Sequence, residues 1–302
     1  MLTSELIKAK AKEFGADLCG IGDISLYAGT APQRDPRLIL PRARCVIGCA
    51  FRVPRSLYGA MANQSQFYSY TSLGVKYLDE EMAEIFLLKM GGLIEDAGYD
   101  ACLQRNISNL RIQGDKTTNP EVLGTYELVH ASAVAPGKPV PDVIMDFGRS
   151  AEICGLGSVG LYGAVITPQF GPFVRLVFIV TDAPLEPDAP FAGSLCDQCG
   201  ACAAACPGRA ITAADGLDTW QCSVYYRGAH RSNPFQPTGF LADDPEREAI
   251  LDGEKRFDSA SAKAIYPKLD FLPSRTTNYA PCLCGKKCDT ACYEHLKRSG
   301  RI

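Results

Sequence analysis

The chain has 302 residues, of which 46% are hydrophobic and 22% are charged, and its formal net charge is −3. These values are typical of a globular protein with room for one large domain and a smaller one. No basic block stands out, which excludes general phosphate neutralisation as the first explanation of function.

The first part of the chain alternates predicted helices with predicted strands. Helical periodicity and end signals predict helices over 4–14, 66–97 and 142–154, and a helical turn over 35–40. Apolar, β-rich runs predict strands over 17–22, 45–53, 162–167 and 174–182. Residues 111–140 are rich in Pro, Gly and Thr, so we predict long loops there. This alternation predicts an α/β or α+β domain.

A Pro-rich, acidic stretch over 184–190 marks a domain boundary. We predict domains over 1–188 and 189–302, with a loop-rich insertion at about 228–280 that holds a short helix near 245–251. The first residues lack the layout of a signal peptide, and the longest apolar runs are too short for a bilayer. The sequence therefore predicts a cytoplasmic protein without a membrane partner.

Cysteine is the most informative residue type. The chain has 14 cysteines, and nine of them lie between Cys196 and Cys292. Residues 196–207 read CDQCGACAAACP, which is the C-x2-C-x2-C-x3-C-P run of bacterial ferredoxins. A structural zinc site normally uses two separated CxxC pairs, and a redox CxxC stands alone, so this run favours a 4Fe–4S cluster.

The fourth cysteine of such a run ligates a second cluster, and the sequence supplies partners for it. Residues 282–292 read CLCGKKCDTAC, and Cys222 stands alone between the two groups. The ferredoxin exchange pattern predicts a first cluster held by Cys196, Cys199, Cys202 and Cys292. It predicts a second cluster held by Cys206, Cys222, Cys288 and either Cys282 or Cys284, of which spacing favours Cys284.

The five other cysteines are scattered in apolar surroundings, where free cysteine usually packs as a small hydrophobic residue. They are Cys19, Cys45, Cys49, Cys102 and Cys154.

Residues 155–160 read GLGSVG, a literal match to the dinucleotide-binding pattern G-x-G-x-x-G. A dinucleotide site needs a strand before this turn and a helix after it. Here a predicted helix precedes and a predicted strand follows, so the order is reversed. The remaining interpretations are a tight helix-to-strand turn or a backbone that approaches a flat ligand closely.

Four stretches of the chain resemble the epoxyqueuosine reductases and, more distantly, the reductive dehalogenases. They are LIKAKAKEFGADLCGIG, DPRLILPRARCVIGCAF, GLGSVGLYGAVITPQFGPFVRLVFIVTD and the cysteine groups that begin with CDQCGACAAACPGRAI. The resemblance implies a nitroreductase-like α/β domain that holds cobalamin, followed by a ferredoxin-like domain with two 4Fe–4S clusters. It also implies an oxidoreductase in which the clusters pass electrons to cobalt and on to a substrate.

For cobalamin, the resemblance implies contacts from the glycine motif and the Thr-Pro segment that follows it. The residues concerned are Gly155, Gly157, Gly160, Thr167, Pro168, Gly171 and Pro172. None of the three histidines (His130, His230 and His295) lies in the Asp-x-His-x-x-Gly pattern of many corrinoid carriers, so a cobalt site without a histidine ligand is expected.

The resemblance also implies candidate catalytic residues and binding partners. Asp142 lies nearest the position of the family's proton donor, with a helix N-cap as the alternative role. Tyr77 falls in a stretch similar to a segment near the family's active site, with packing as its alternative. The expected partners are an external low-potential donor of the ferredoxin or flavodoxin type and a small-molecule or modified-nucleoside substrate, with tRNA as one option.

Two departures from the family bear on function. Leu161 and Tyr162 stand where epoxyqueuosine reductases usually carry a Lys-Asn or similar pair, and we expect the chain to lack the helical-repeat extension common in that family. The alternative function is a plain electron carrier or corrinoid-activating partner without a substrate of its own. An N-terminal domain of about 190 residues favours the reductase, because a ferredoxin alone does not require one.

Overall fold

The computed structural model describes residues 2–106, 110–114, 121–123, 126–131, 133–139, 141–272 and 280–302. Its α-helices are α1 (Ser4–Glu13), α2 (Arg55–Ala62), α3 (Ala83–Asp96), α4 (Phe147–Ile153), α5 (Ala201–Ala205), α6 (Thr219–Tyr226), α7 (Arg247–Leu251), α8 (Ser259–Ile265) and α9 (Lys287–Arg298). A π-helix over Tyr70–Met82 runs directly into α3. Short 3-10 turns occur at Ile24–Tyr27, Pro32–Arg34, Pro36–Leu38 and Tyr266–Leu269.

The strands in chain order are β1 (Leu18–Asp23), β2 (Cys45–Arg52), β3 (Ala101–Gln104), β4 (Leu110–Gly114), β5 (Glu121–Leu123), β6 (Tyr126–Ala131), β7 (Ser158–Val159), β8 (Val165–Ile166), β9 (Val174–Thr181), β10 (Ile211–Thr212) and β11 (Gly216–Leu217). The central sheet has the order β1-β2-β9-β3 and is antiparallel throughout. Its register places Cys19 opposite Cys49 and Gly48 opposite Phe178.

Helices cover both faces of this sheet, which explains why β2 reads as a continuous apolar run. On one face, Ile7 of α1 and Phe86 of α3 pack with Ile47. On the other face, α4 packs against Val46 and Phe178. The result is a mixed α/β fold, as the sequence predicts.

Several predicted elements are confirmed, and their ends follow from local chemistry. Thr3 caps α1 by accepting a hydrogen bond from the Leu6 amide at 3.2 Å. Asp146, rather than Asp142, caps α4 by accepting from the Arg149 amide at 3.0 Å. The N-cap alternative for Asp142 is therefore wrong for this helix.

Other predictions needed correction. The helix predicted over 66–97 divides into the π-helix and α3, and sequence reasoning missed α2. The prediction of loops over 111–140 is wrong for the residues of β4, β5 and β6, because β6 pairs with both β4 and β5. The residues between these strands lie outside the described ones. Pairing between strands is a tertiary contact, which Pro, Gly and Thr content does not encode.

The segment over 228–280 contains more than loops. Val224 of α6, Ile250 of α7 and Ile265 of α8 form a small apolar core of their own. The predicted short helix near 245–251 is confirmed by α7. Among the described residues, no helix combines the length and the apolarity needed to cross a membrane.

Candidate iron–sulfur site and its surroundings

Four of the predicted cluster ligands surround one small void. Cys196 and Cys199 lie in the loop before α5, Cys202 lies on α5, and Cys292 comes from α9, 90 residues further along the chain. All four line a void of about 20 Å³ together with Tyr162. Burial, together with the charges of Cys202 and Cys196, raises the pKa of Cys292 to about 12. The fold therefore brings together the set that the exchange pattern predicts.

The second predicted set is also assembled, from three separate elements. Burial, together with the Cys284 and Cys206 thiols, raises the pKa of Cys222 on α6 to about 12. The pKa of Cys288 is raised by burial, with contributions from Cys284 and Cys222 among its neighbours. These mutual effects place Cys206, Cys222, Cys284 and Cys288 in one neighbourhood.

Cys282 and Cys284 have different surroundings although their sulfur atoms are 3.7 Å apart. Cys282 is fully buried among Tyr58, Met61 and Tyr70 of the N-terminal half. A hydrogen bond from Cys282 lowers the pKa of Cys284 to about 7, whereas burial raises that of Cys282. The directions of these two shifts favour Cys284 over Cys282 as a metal ligand, because ligands bind as thiolates.

The two thiol sets differ in their exposure. Cys199 of the first set is exposed, and it neighbours the hydrogen bond between His295 Nε2 and Asp197 Oδ2 at 2.9 Å. Asp197, Cys199 and His295 could themselves offer metal-ligand atoms, all within 4.8 Å of one another. In the second set all four thiols are partly buried, and Cys284 packs against an apolar cluster of the N-terminal half of the chain.

An aromatic stack joins α9 to that N-terminal half. Phe173 stacks on Tyr58 of α2 at 4.0 Å between ring centroids and on Tyr293 of α9 at 4.7 Å. This stack lies in the same apolar cluster as Cys282 and Cys284. It fixes the second thiol set against the α/β layers.

The two predicted catalytic residues are not brought to the thiols. Asp142 is exposed and lines a cavity of about 700 Å³, with Leu87, Leu103 and Arg105 on other parts of its wall. Among the described residues, none of the nine clustered cysteines lines this cavity, and neither does Tyr77. The ring of Tyr77 is 39% exposed on the π-helix, with Lys76 Nζ 4.8 Å from its centroid.

The glycine motif forms a packed helix-to-strand turn between α4 and β7, which confirms the reversed order. A Cβ on Gly157 would lie 2.0 Å from the Ile166 carbonyl oxygen, and one on Gly160 would lie 2.8 Å from the Ile166 side chain. A Cβ on Gly155, at φ +71°, would lie 2.8 Å from the Ala189 carbonyl oxygen. The chain's own atoms thus fill the space that these glycines leave open.

The predicted Thr-Pro contacts also face inward. Thr167 is fully buried, and its hydroxyl accepts a hydrogen bond from the Phe170 amide at 3.1 Å. Gly171, at φ +58°, lies against Tyr293 and Ile302, Pro172 is buried, and Pro168 is partly exposed. These residues do not fit the open cradle that a corrin macrocycle would need, and their roles are explained by packing.

Sequence reasoning missed a buried ionic group beside the second thiol set. Arg175 Nη1 lies 3.7 Å from Asp79 Oδ2, and the Asp79 carboxyl is almost fully buried. Arg175 Nε also donates to the Gly74 carbonyl at 3.0 Å, and Nη2 to the Tyr70 hydroxyl at 3.5 Å. The one available signal was a single arginine in the apolar run VRLVFIV.

The fold and the thiol sets define a mixed α/β protein with a ferredoxin-like cysteine arrangement. No family model matches the chain. Epoxyqueuosine reductase of Synechococcus sp. (strain RCC307) is 32% identical over 131 residues, which are 42% of this chain and 40% of that protein. Tetrachloroethene reductive dehalogenase of Sulfurospirillum multivorans is 48% identical over 61 residues, 19% of this chain and 12% of that protein.

A solved reductive dehalogenase shares the fold. The match has a TM-score of 0.50 and 18% sequence identity, and it covers 82% of this chain and 35% of the dehalogenase chain. The structure of that dehalogenase suggests a mechanism for B12-dependent dehalogenation. This chain spans less than half the length of each of these three proteins. The predicted resemblance to epoxyqueuosine reductases and reductive dehalogenases is confirmed.

Proposed function

We propose that the chain is an iron–sulfur oxidoreductase that holds two 4Fe–4S clusters in its two thiol sets. The observation that carries the proposal is the crossing of the sets. Cys292 lines the same void as Cys196, Cys199 and Cys202, whereas the Cys284 thiol is among the causes that raise the pKa of Cys206. Soft thiolates in two groups of four are a suitable donor set for cubanes. When bound, such clusters accept and release single electrons at low potential.

The residues around the two sets support a direction for electron transfer. Cys199 gives the first set an exposed edge, where an external donor of the ferredoxin or flavodoxin type can approach. The second set adjoins the buried side of Tyr58 and Tyr70. Electrons would therefore enter beside Cys199 and leave toward the α/β layers.

A second part of the proposal concerns the group that accepts electrons from the clusters. Cobalamin is suggested by the solved relative described with B12-dependent dehalogenation. The glycine and Thr-Pro residues are packed against their own chain, so we derive no step through this cofactor. The substrate remains the small molecule or modified nucleoside predicted above, with tRNA as one option. The exposed Asp142 in its apolar cavity is the proposed proton donor.

The alternative function is an electron carrier without its own substrate. The cavity of about 700 Å³ that contains Asp142 favours the reductase, because a carrier needs no such site.

Metal analysis and cofactor titration test both levels of the proposal. Anaerobically reconstituted protein should contain about eight irons per chain and give the electron paramagnetic resonance of two reduced clusters. About four irons, or stoichiometric zinc, would contradict the two-cluster proposal. Titration with cobalamin, followed by absorbance, tests the acceptor separately: absence of binding at micromolar concentration would favour the electron-carrier alternative.

A further inference from the structure

Tyr162 carries a buried hydroxyl beside the first thiol set. It lies in the turn between β7 and β8, which is closed by a hydrogen bond from the Gly160 amide to the Ala164 carbonyl at 2.8 Å. Tyr162 is 7% exposed, and its hydroxyl oxygen has no partner at hydrogen-bond geometry among the residues that the structure describes. A buried polar group without a partner is costly, and a group bound in the functional protein is one explanation for it.

The position of Tyr162 indicates which group can satisfy this hydroxyl. Its side chain lines the void of about 20 Å³ that the four thiols of the first set share. Of the buried, unpartnered side chains in the described part of the chain, only Tyr162 lines this void. Tyr162 also packs in one apolar cluster with Cys202 and Cys292. The first set can therefore offer the missing acceptor.

The second thiol set is the alternative source of an acceptor, because Cys206 and Cys288 pack at the edge of the same apolar cluster. The void decides between the two sets, since none of the four thiols of the second set lines it. Cys202 of the first set also shares the buried part of the cluster with Tyr162, whereas Cys206 and Cys288 are only partly buried. The first set is therefore the favoured partner.

The chemistry of a bound cluster gives this hydroxyl a role. A tyrosine hydroxyl keeps its proton near neutral pH, so it can donate a hydrogen bond. A thiolate that ligates iron is a better acceptor than a thiol because it carries negative charge. Such a sulfur becomes more negative when the cluster accepts an electron, so a hydrogen bond to it stabilises the reduced form more than the oxidised form.

We propose that the Tyr162 hydroxyl donates a hydrogen bond to a sulfur ligand of the first cluster and thereby raises the reduction potential of that cluster. The inference rests on the proposed two-cluster function. The first set has its exposed edge at Cys199, where electrons would enter. Tyr162 thus makes the point of entry easier to reduce, without contact to a substrate.

Tyr27 provides a matched control. It is fully buried, and its hydroxyl also has no hydrogen-bond partner among the described residues. It packs with Val46 and Met145 in an apolar cluster that contains none of the nine clustered cysteines. Tyr162→Phe and Tyr27→Phe therefore remove the same atom beside the thiols and away from them. Neither substitution leaves a described partner unpaired, so both variants should fold.

The experiment measures both cluster potentials in reconstituted full-length protein by potentiometry with electron paramagnetic resonance. The signal of the first cluster is the one that survives in Cys222→Ser. We expect Tyr162→Phe to lower the potential of the first cluster by about tenfold in the one-electron equilibrium, about 59 mV, with the second cluster unchanged. Tyr27→Phe should match the wild type. An unchanged first cluster in Tyr162→Phe, or a shift confined to the second cluster, would overturn the inference.

A second measurement covers the case in which Tyr162→Phe does not load its first cluster. Electron–nuclear double resonance of the reduced wild type, in H2O and in D2O, detects exchangeable protons close to the first cluster. The hydroxyl proton should contribute such a coupling, and a first cluster without any coupled exchangeable proton would overturn the inference. In a loaded Tyr162→Phe protein that coupling should be lost, whereas Tyr27→Phe should keep it.

Failure of the proposed function gives a different result. Wild-type protein with about four irons per chain, or with stoichiometric zinc, would contradict the two-cluster proposal itself. Wild-type protein with about eight irons and an unchanged potential in Tyr162→Phe would contradict only the role of Tyr162. The two failures are therefore distinguishable.

Discussion

The sulfur atom of Cys282 lies 3.7 Å from that of Cys284, and the Cys284 thiol is among the causes that raise the pKa of both Cys206 and Cys222. Both cysteines belong to the apolar cluster of Tyr58 and Tyr70, in which Cys282 is fully buried and Cys284 is partly buried. The two cysteines therefore differ in burial, although their sulfur atoms are in contact. The spacing of the sequence favours Cys284 as the ligand, and its lowered pKa supports that choice.

Cys284→Ala should prevent the second cluster from assembling, whereas Cys282→Ala should leave both clusters in place. Removal of a ligand thiolate opens one coordination position, and removal of Cys282 only deletes a hydrogen-bond donor and a buried thiol. Iron content after anaerobic reconstitution should fall to about four per chain in Cys284→Ala and stay near eight in Cys282→Ala. The opposite pattern would make Cys282 the ligand.

Cys292→Ala should destroy the cluster of Cys196, Cys199 and Cys202, although it lies in the other cysteine group of the sequence. The reason is that Cys292 shares their void. Electron paramagnetic resonance should lose the signal of the first cluster and keep that of the second. Cys102→Ala, outside both sets, is the control and should keep both. An intact first cluster in Cys292→Ala would refute the crossing.

Loss of Arg175 should destabilise the fold far more than loss of a surface arginine in the same sheet. Arg175→Met leaves the buried Asp79 carboxyl without its cation, which costs about 3 kcal/mol in comparable pairs. Arg52→Met breaks an ion pair with Asp17 in which the arginine is 64% exposed, at a cost of about 1 kcal/mol or less. Denaturant unfolding measures both. Equal losses would show that the Asp79–Arg175 pair is not electrostatically important.

Gly157→Ala should lower the free energy of unfolding by about 2 kcal/mol or more, because its Cβ would meet the Ile166 carbonyl. Gly59→Ala is the control: Gly59 lies within α2 with nothing inside 4 Å of its Cβ position. Alanine there should stabilise the helix by about 0.5–1 kcal/mol. A fully stable Gly157→Ala protein would remove the packing explanation and restore the interpretation of an open ligand cradle.

His230 should make the protein less stable in mild acid. Burial lowers its pKa, the nearby Lys287 charge adds to this, and its Nδ1 lies 3.1 Å from the donating Ser232 amide. The folded state therefore binds fewer protons than the unfolded state, and stability falls as the pH drops below about 6.5. His230→Asn should show a smaller fall between about pH 7.5 and pH 5.5. Parallel pH profiles for the two proteins would contradict this.

The sequence by itself determined the local elements and the chemistry of the metal sites. Cys45–Arg52 is apolar and β-rich enough to be recognised as a buried strand, and the spacing of Cys196, Cys199, Cys202 and Cys206 specifies a ferredoxin run. Such signals depend on neighbours within a few residues. The periodicity of apolar side chains and the spacing of metal ligands can therefore be recognised in the sequence before the fold is known.

Only the tertiary structure decided which distant groups meet. It made the glycine motif a turn filled by Ile166, paired Arg175 with Asp79, and separated Tyr77 from the cavity of Asp142. It also placed Lys286 Nζ 3.4 Å from the buried carboxylate of Asp289. Burial and electrostatic contact arise between elements far apart in the chain, so no local pattern of residues encodes them.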